Sequence, residues 1–281
     1  MKHKIHFRSL GEKGPLYILL YGYGGGPRHW QSVAEHLSKN NRVIIPHLSS
    51  LYMSKDPLFF TVQVELVLQF IEDHFQNEII RLAGVSYGGL LAWAMSLQKP
   101  SIFERVHLIN PMLPSALDHV QIPELKFMLR VPFNFQALSL VLSTPMGKQF
   151  LKKTSAILGN DPERDLLRMD DLKGRKLIFV AQMIHHFSWI LKNEDWSWWK
   201  TKSLNEFQQR SPTELLVSED DPLFSLQTYQ NYSKEQKFDH IHTVKTGGHL
   251  LPLSAPQLVF ENLNSEIAKQ NPNRELDKKI A

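Results

Sequence analysis

Apolar and polar positions along this chain follow two rhythms that take turns. "KIHFRSL" alternates apolar and polar residues and predicts an edge strand. "LYILLYG" (Leu16 to Gly22) is continuously apolar, as a strand covered on both faces must be. "PRHWQSVAEHLSKN" opens with Pro27 and carries apolar residues at helical spacing, which predicts a helix with proline in its first turn. The same alternation continues with "RVIIPHL" (strand), "FFTVQVELVLQFIEDHF" (amphipathic helix), "IIRLAGV" (strand), "YGGLLAWAMSLQ" (helix) and "RVHLINP" (strand).

Strands alternating with helices of this length imply an α/β fold, a mainly parallel sheet with helices on both faces. The alternation stops at Pro111. From Met112 to Arg210 the pattern is helical without strand signals, in "PELKFMLRVPFNFQALSLVLSTPMGKQFL" and "LKGRKLIFVAQMIHHFSWILKNEDWSWWK". It then resumes with "TELLVSED" (strand), "PLFSLQTYQNYS" (helix), "HIHTVKT" (strand) and "SAPQLVFENLNSEIAKQ" (helix). The organisation predicted is a sheet domain, residues 1–111 and 211–281, interrupted by a helical insertion at 112–210. The polar tail "NPNRELDKKIA" is expected to fray.

Composition narrows the class rather than the function. At 281 residues the chain is long enough to bury a sizeable core, and 42% apolar with 21% charged residues is an ordinary globular balance. The net charge of +4 is mild, and lysines and arginines form no run of the kind that binds nucleic acid, so no nucleic-acid partner is expected. With no cysteine, disulfides, thiolate metal sites and a cysteine nucleophile are all excluded. "LYILLY" after a basic N-terminus is about half a signal-peptide core and lacks a small-residue cleavage site. No stretch approaches the roughly 18 consecutive apolar residues of a membrane span, so a cytoplasmic location is expected.

The chemistry concentrates in three places. "GVSYGG" places Ser86 in a G-x-S-x-G pattern between a predicted strand and a predicted helix, the context of a nucleophile elbow. A serine on so sharp a turn is held in a strained backbone conformation, and side chains two residues to either side would collide, which accounts for Gly84 and Gly88. The alternative is a tight turn with an incidental serine. "YGYGGGPRHW" after the "LYILLYG" strand is glycine-rich without a G-x-G-x-x-G or G-K-[ST] signature. That loop suits an oxyanion hole, with the N–H groups of Tyr23 and Tyr87 as its donors. Finally "LLVSEDDPLF" ends a strand with Glu219, Asp220 and Asp221, and "VKTGGHLLPLSAPQ" places His249 in a loop after the last strand. A serine hydroxyl needs such a base, and the base an orienting carboxylate.

Together these stretches resemble the α/β-hydrolase superfamily, in particular serine hydrolases of the lipase and esterase type, over nearly the whole chain. The resemblance implies an α/β-hydrolase sheet with a helical cap inserted after the sixth strand. It also implies Ser86 as nucleophile, His249 as base and Asp221 as the acid, aligning "SEDDP" with the family's G-x-x-D turn. Asp220 is the second choice, and Asn110 in "LINP" removes the variant that carries the acid after the preceding strand. The text departs from the family at Tyr21, where a histidine is common, and at "PHLSSLYMSKDP", which replaces the usual D-x-P-G-x-G-x-S. Dehalogenases and epoxide hydrolases of this fold are less similar, because they carry an aspartate where Ser86 stands.

The substrate expected is a small apolar ester or thioester. The alternatives are an acyl thioesterase or acyl-carrier-protein methyl ester hydrolase, a carbon–carbon bond hydrolase, and a non-catalytic small-molecule receptor. Trp189, Trp196, Trp198 and Trp199 either pack the cap onto the core or wall an apolar substrate site. A membrane-docking lid is a third reading, since Lys192, Lys200 and Lys202 flank them. Among thirteen histidines, His240 and His242 alternate on a strand while His185 and His186 point apart on a helix. Neither pair has metal-ligand spacing, and no metal or cofactor is implied.

Overall fold

A computed structural model describes residues 4–52, 54, 56–130, 135–157, 175–197 and 211–269. Its centre is a seven-stranded sheet in the order β1-β3-β2-β4-β5-β6-β7. The strands are β1 (Phe7–Leu10), β2 (Leu16–Leu20), β3 (Arg42–Pro46), β4 (Ile80–Val85), β5 (Phe103–Ile109), β6 (Thr213–Ser218) and β7 (His240–Val244). Only β1 runs antiparallel, against β3 at the edge. The alternating text of β1 is matched by an alternating half-exposed pattern, and the unbroken apolar text of β2 by burial of all five residues.

Helices α1 (Gln31–Leu37), α2 (Ser49–Tyr52), α3 (Phe60–His74) and α4 (Tyr87–Gln98) precede β5. Pro27 opens a 3₁₀ turn, Pro27–Trp30, that leads into α1. α4 is apolar on every side, and correspondingly eleven of its residues, Tyr87 to Leu97, are buried. Between β5 and β6 lie α5 (Ala116–His119), α6 (Pro123–Arg130), α7 (Phe135–Ser143), α8 (Pro145–Ile157) and α9 (Arg175–Asn193), with no strand among the described residues. One expectation needs correction here. The strand before these helices is the fifth, not the sixth, because each of the five strand-like runs before Pro111 forms a single strand and the sixth follows the helices. The remaining described helices are α10 (Leu226–Gln236), α11 (Leu251–Ser254) and α12 (Pro256–Lys269). α10 starts later than its apolar text, because Ser225 caps it by accepting the Thr228 N–H.

One large core, centred on β2, β4, β5 and α4, fills the sheet layer. A small separate cluster of Met128, Leu138, Leu142, Leu151, Leu177, Val180 and Ala181 joins α6 to α9. Trp189 packs on Phe59 and Trp196 on Phe60, with ring centroids 4.7 and 5.4 Å apart. Glu194, just past α9, is buried and accepts the Phe60 N–H at 2.7 Å, satisfying a free donor at the start of α3. Trp198, Trp199, Lys200 and Lys202 lie outside the described residues. Among the described residues no helix is long and apolar enough to cross a membrane.

The strand order positions the site. The chain leaves β2 toward β3 on one side, then returns to lay β4 on the other side of β2. Loops leaving the carboxyl ends of β2 and β4 therefore diverge, and a crevice opens between them. The glycine loop follows β2 and Ser86 follows β4.

Candidate active site

Ser86 sits at φ 55°, ψ −125°, a conformation that costs an L-residue energy and that the surroundings must hold. Its neighbours are glycines because backbone crosses backbone there. A Cβ on Gly84 would lie 2.2 Å from the Gly88 carbonyl oxygen, and one on Gly88 would lie 2.4 Å from that of Leu20. Gly89 lets Pro111 approach, its Cβ position being 2.8 Å from the proline side chain. The Ser86 carbonyl accepts N–H groups from Gly89, Leu90 and Met112, and its own N–H donates to Ile109 at 3.1 Å. The elbow is thereby clamped to β5.

His249 Nε2 lies 2.8 Å from Ser86 Oγ, and its Nδ1 lies 2.9 Å from Asp221 Oδ2. A carboxylate only accepts, so Nδ1 carries the ring proton and Nε2 is left to accept from the serine hydroxyl. Asp221 is 4% exposed and His249 1%, so the pair is shielded from water. Asp221 also accepts the Tyr229 hydroxyl at 2.7 Å and the Leu223 N–H at 2.8 Å. Burial, and then the Asp221 charge, raise the Tyr229 phenol well above its ordinary value, so it stays a donor. Asp220 takes another part: its two oxygens accept the N–H groups of Gly248 and Gly247 at 2.8 and 3.2 Å, bracing the turn that carries His249.

Asn110, set aside in the sequence as the wrong residue for an acid, is built into the same corner. It has φ 37°, and its Nδ2 donates to the carbonyls of Gly248 (2.8 Å) and His249 (3.0 Å). Its Oδ1 accepts the Ser218 N–H at 2.9 Å. Ser218 Oγ donates to the same Gly248 carbonyl at 2.5 Å. Asn110 thus ties β5 and β6 to the histidine loop. A polar residue just after an apolar strand and before proline was its only local signal. Tyr229, eight residues beyond Asp221 on a helix, gave none.

The glycine loop closes the other side. Gly25 N–H donates to the Gly22 carbonyl at 3.0 Å, and a Cβ on Gly22 would lie 3.1 Å from that of Ser86. Neither the Tyr23 nor the Tyr87 N–H has an acceptor among the described residues, and the Tyr87 N–H is one of the free donors opening α4. The two rings meet edge to face at 5.3 Å. Tyr87 OH donates to buried Gln63, and burial raises both phenols far above the ordinary range. From α9, Phe187 packs on Tyr23 at 4.6 Å, and Met183 covers Gly24 so closely that a Cβ there would meet its sulfur at 2.3 Å. His29 packs beneath Gly25, its Nδ1 buried without a partner among the described residues. Burial first, then the neighbouring His249, lower its pKa to about 4.

The profile of the alpha/beta hydrolase fold family matches residues 15–256, most of the chain and every residue of this site. The chain belongs to the alpha/beta hydrolase fold family. Solved structures superpose on this α/β hydrolase over nearly its whole length. A putative lipase from Acinetobacter baumannii AYE does so with a TM-score of 0.72 at 19% identity, over 96% of this chain and 89% of the other. A thermophilic esterase from Thermogutta terrifontis gives 0.65 at 16% identity, over 94% and 93%. Such identities speak for the fold. In sequence, this α/β hydrolase is 32% identical over 109 residues to the 1-acylglycerol-3-phosphate O-acyltransferase ABHD5 of Rattus norvegicus. That match spans 37% of this chain and 31% of the relative.

Proposed function

We propose that the protein is a serine hydrolase that cleaves carboxylic esters bearing an apolar acyl or alkyl group through an acyl-enzyme. The observation that carries this reading is the unbroken line from Ser86 Oγ through His249 to Asp221, at 2.8 and 2.9 Å, on a strained serine. In the reaction, Ser86 Oγ attacks the ester carbonyl carbon while His249 Nε2 takes the hydroxyl proton. The carbonyl oxygen becomes an oxyanion facing the free N–H groups of Tyr23 and Tyr87. His249 then returns the proton to the departing alcohol. Water, deprotonated by His249 in its turn, attacks the acyl-enzyme and restores Ser86.

The aromatic side chains packed about the glycine loop support apolar substrates. Tyr23, Tyr52, Tyr87 and Phe187 form one aromatic cluster, with centroids 4.6 to 5.9 Å apart. We read residues 112–210 as a cap whose helix α9 brings Met183 and Phe187 over the site, and 1–111 with 211–281 as the core that carries it. The name of the rodent relative favours one variation, in which an alcohol rather than water takes the acyl group from Ser86. Thioesters would enter by the same attack.

The test is turnover of p-nitrophenyl esters graded by acyl length, with wild type and Ser86→Ala, alongside a fluorophosphonate probe read by mass spectrometry. The reading requires turnover and a covalent adduct on Ser86, both lost in the variant. Absence of turnover at every chain length, with no adduct, would sink it. Adding a long-chain alcohol to the assay separates acyl transfer from hydrolysis by product.

A further inference from the structure

Tyr21, Tyr23 and Tyr52 close a ring of hydrogen bonds around the glycine loop. The Tyr21 hydroxyl accepts the N–H groups of Leu48 (2.5 Å) and Ser49 (3.2 Å), fastening the start of α2. Tyr52, at the other end of α2, sends its hydroxyl back to the Tyr21 carbonyl at 3.1 Å. The Tyr23 hydroxyl donates to the Tyr52 carbonyl at 2.9 Å, and the two rings stack at 4.8 Å with 28° between their planes. These bonds tie Tyr21 and Tyr23, on either side of Gly22, to α2, at the head of a loop that holds Gly22, Gly24, Gly25 and Gly26, with Gly24 at φ 72°.

Two consecutive peptide planes lead to the Tyr23 N–H, and the Tyr52 hydroxyl holds the first of them. A trans peptide points its C=O and N–H in opposite directions, so whatever holds the Gly22 carbonyl aims the Tyr23 N–H. Gly25 N–H holds that carbonyl from inside the loop. The preceding Tyr21 carbonyl, beside the elbow (2.6 Å from a Cβ built on Gly88), is held by the Tyr52 hydroxyl. We propose that Tyr52 is a positioning residue for the oxyanion hole: its hydroxyl anchors the Tyr21 carbonyl and keeps the glycine loop in the conformation that turns the Tyr23 N–H toward Ser86. The proposal rests on the serine hydrolase reading and adds to it a residue from the "PHLSSLYMSKDP" segment, where the family's usual text is absent. Burial keeps Tyr52 and Tyr21 protonated far above neutral pH, so the ring persists wherever the enzyme would work.

Tyr52→Phe removes one hydroxyl and keeps the stacked ring. Tyr17→Phe is the control, because it deletes a buried phenol-to-carbonyl bond, to Leu263 at 3.0 Å, together with a longer contact from Arg81 at 3.4 Å, near the amino end of β2 and away from the glycine loop. Two rates are measured on each full-length protein: fluorophosphonate labelling of Ser86, and kcat with KM on a short p-nitrophenyl ester. Tyr52→Phe is expected to slow labelling and kcat about tenfold, one hydrogen bond's worth of alignment at an oxyanion donor. KM should stay within about twofold, since the ground-state contacts are untouched. Tyr17→Phe should lower the unfolding midpoint by a similar amount and leave both rates at the wild-type level. Folded Tyr52→Phe that labels as fast as wild type overturns the proposal, as does Tyr17→Phe slowing labelling equally. Should Tyr52→Phe not fold, Tyr23→Phe opens the ring at its other bond and must slow labelling in the same way. Wild type that takes no label at Ser86 refutes the hydrolase reading and the proposal together, an outcome distinct from labelling that is merely insensitive to Tyr52.

Discussion

Replacing Asp221 with asparagine separates the two adjacent aspartates by role. Asp221 Oδ2 accepts two donors, His249 Nδ1–H and Tyr229 OH, while Oδ1 accepts the Leu223 N–H. The amide therefore keeps its carbonyl oxygen toward His249 and turns its NH₂ toward Leu223, where donor meets donor. That unpaired N–H costs about 1–3 kcal/mol of stability, visible as a lower urea midpoint. The larger effect is on rate. As Ser86 attacks, His249 becomes positive, and with the N···O contact at 2.9 Å the two charge centres lie about 4 Å apart. At an effective dielectric constant of about 20 that attraction is about 4 kcal/mol, or about three decades of rate. Asp221→Asn should therefore lower kcat/KM for a p-nitrophenyl ester about a thousandfold. Asp220→Asn, which leaves one carbonyl oxygen for the Gly247–Gly248 turn, should lose no more than about tenfold. Asp221→Asn retaining a tenth of wild-type kcat/KM, or Asp220→Asn falling as far, would show that the carboxylate role has been given to the wrong residue.

Gly88→Ala places a Cβ 2.4 Å from the Leu20 carbonyl oxygen and 2.6 Å from that of Tyr21, backbone atoms rather than a flexible side chain. It should cost about 2 kcal/mol or more, read as a drop in thermal midpoint; a midpoint within a degree of wild type would refute the crossing described here. Acid should destabilise the fold before it damages the carboxylates, because His29 and His107 have folded pKa values near 4 against 6.5 when unfolded. Burial is the main cause in both, so the folded chain refuses a proton that the unfolded chain takes. Their stabilisation is complete above pH about 6.5 and is lost as pH falls toward 4, at about 1.4 kcal/mol per pH unit for each histidine. Urea midpoints from pH 7.5 to 4.5 would show the slope, to which His185 and His186, also lowered by burial, add, and His107→Gln should reduce it by no more than about 1.4 kcal/mol per pH unit. An unchanged slope in that variant would remove His107 from the account.

Most of the frame was legible because its signals are local. Periodicity of two against three and a half residues marks the strands and helices, and proline and glycine mark several of their ends. The elbow was legible for the same reason: the strain at Ser86 demands Gly84 and Gly88 within two residues of it. Other parts were less so. The helical text from Pro123 to Leu151 divides into three helices, since a continuous apolar rhythm does not say where a helix turns back on its neighbour. Asp221 could be preferred to Asp220 only through a family pattern, because adjacent carboxylates on a turn differ in direction and not in local chemistry.

What the sequence by itself determined is therefore the alternation of strand and helix, the strained serine between its glycines, and acids and a histidine at strand ends. Tertiary structure alone decided which distant groups meet. Asn110 reaches Gly248 across 138 positions, Glu194 reaches Phe60 across 134, and Tyr52 reaches Tyr21 across 31. Each is a hydrogen bond whose partners are brought together by strand order and helix packing, and no spacing along the chain encodes such a pair. The sequence names the residues able to do the chemistry, and the packing of the whole sheet determines where each of them points.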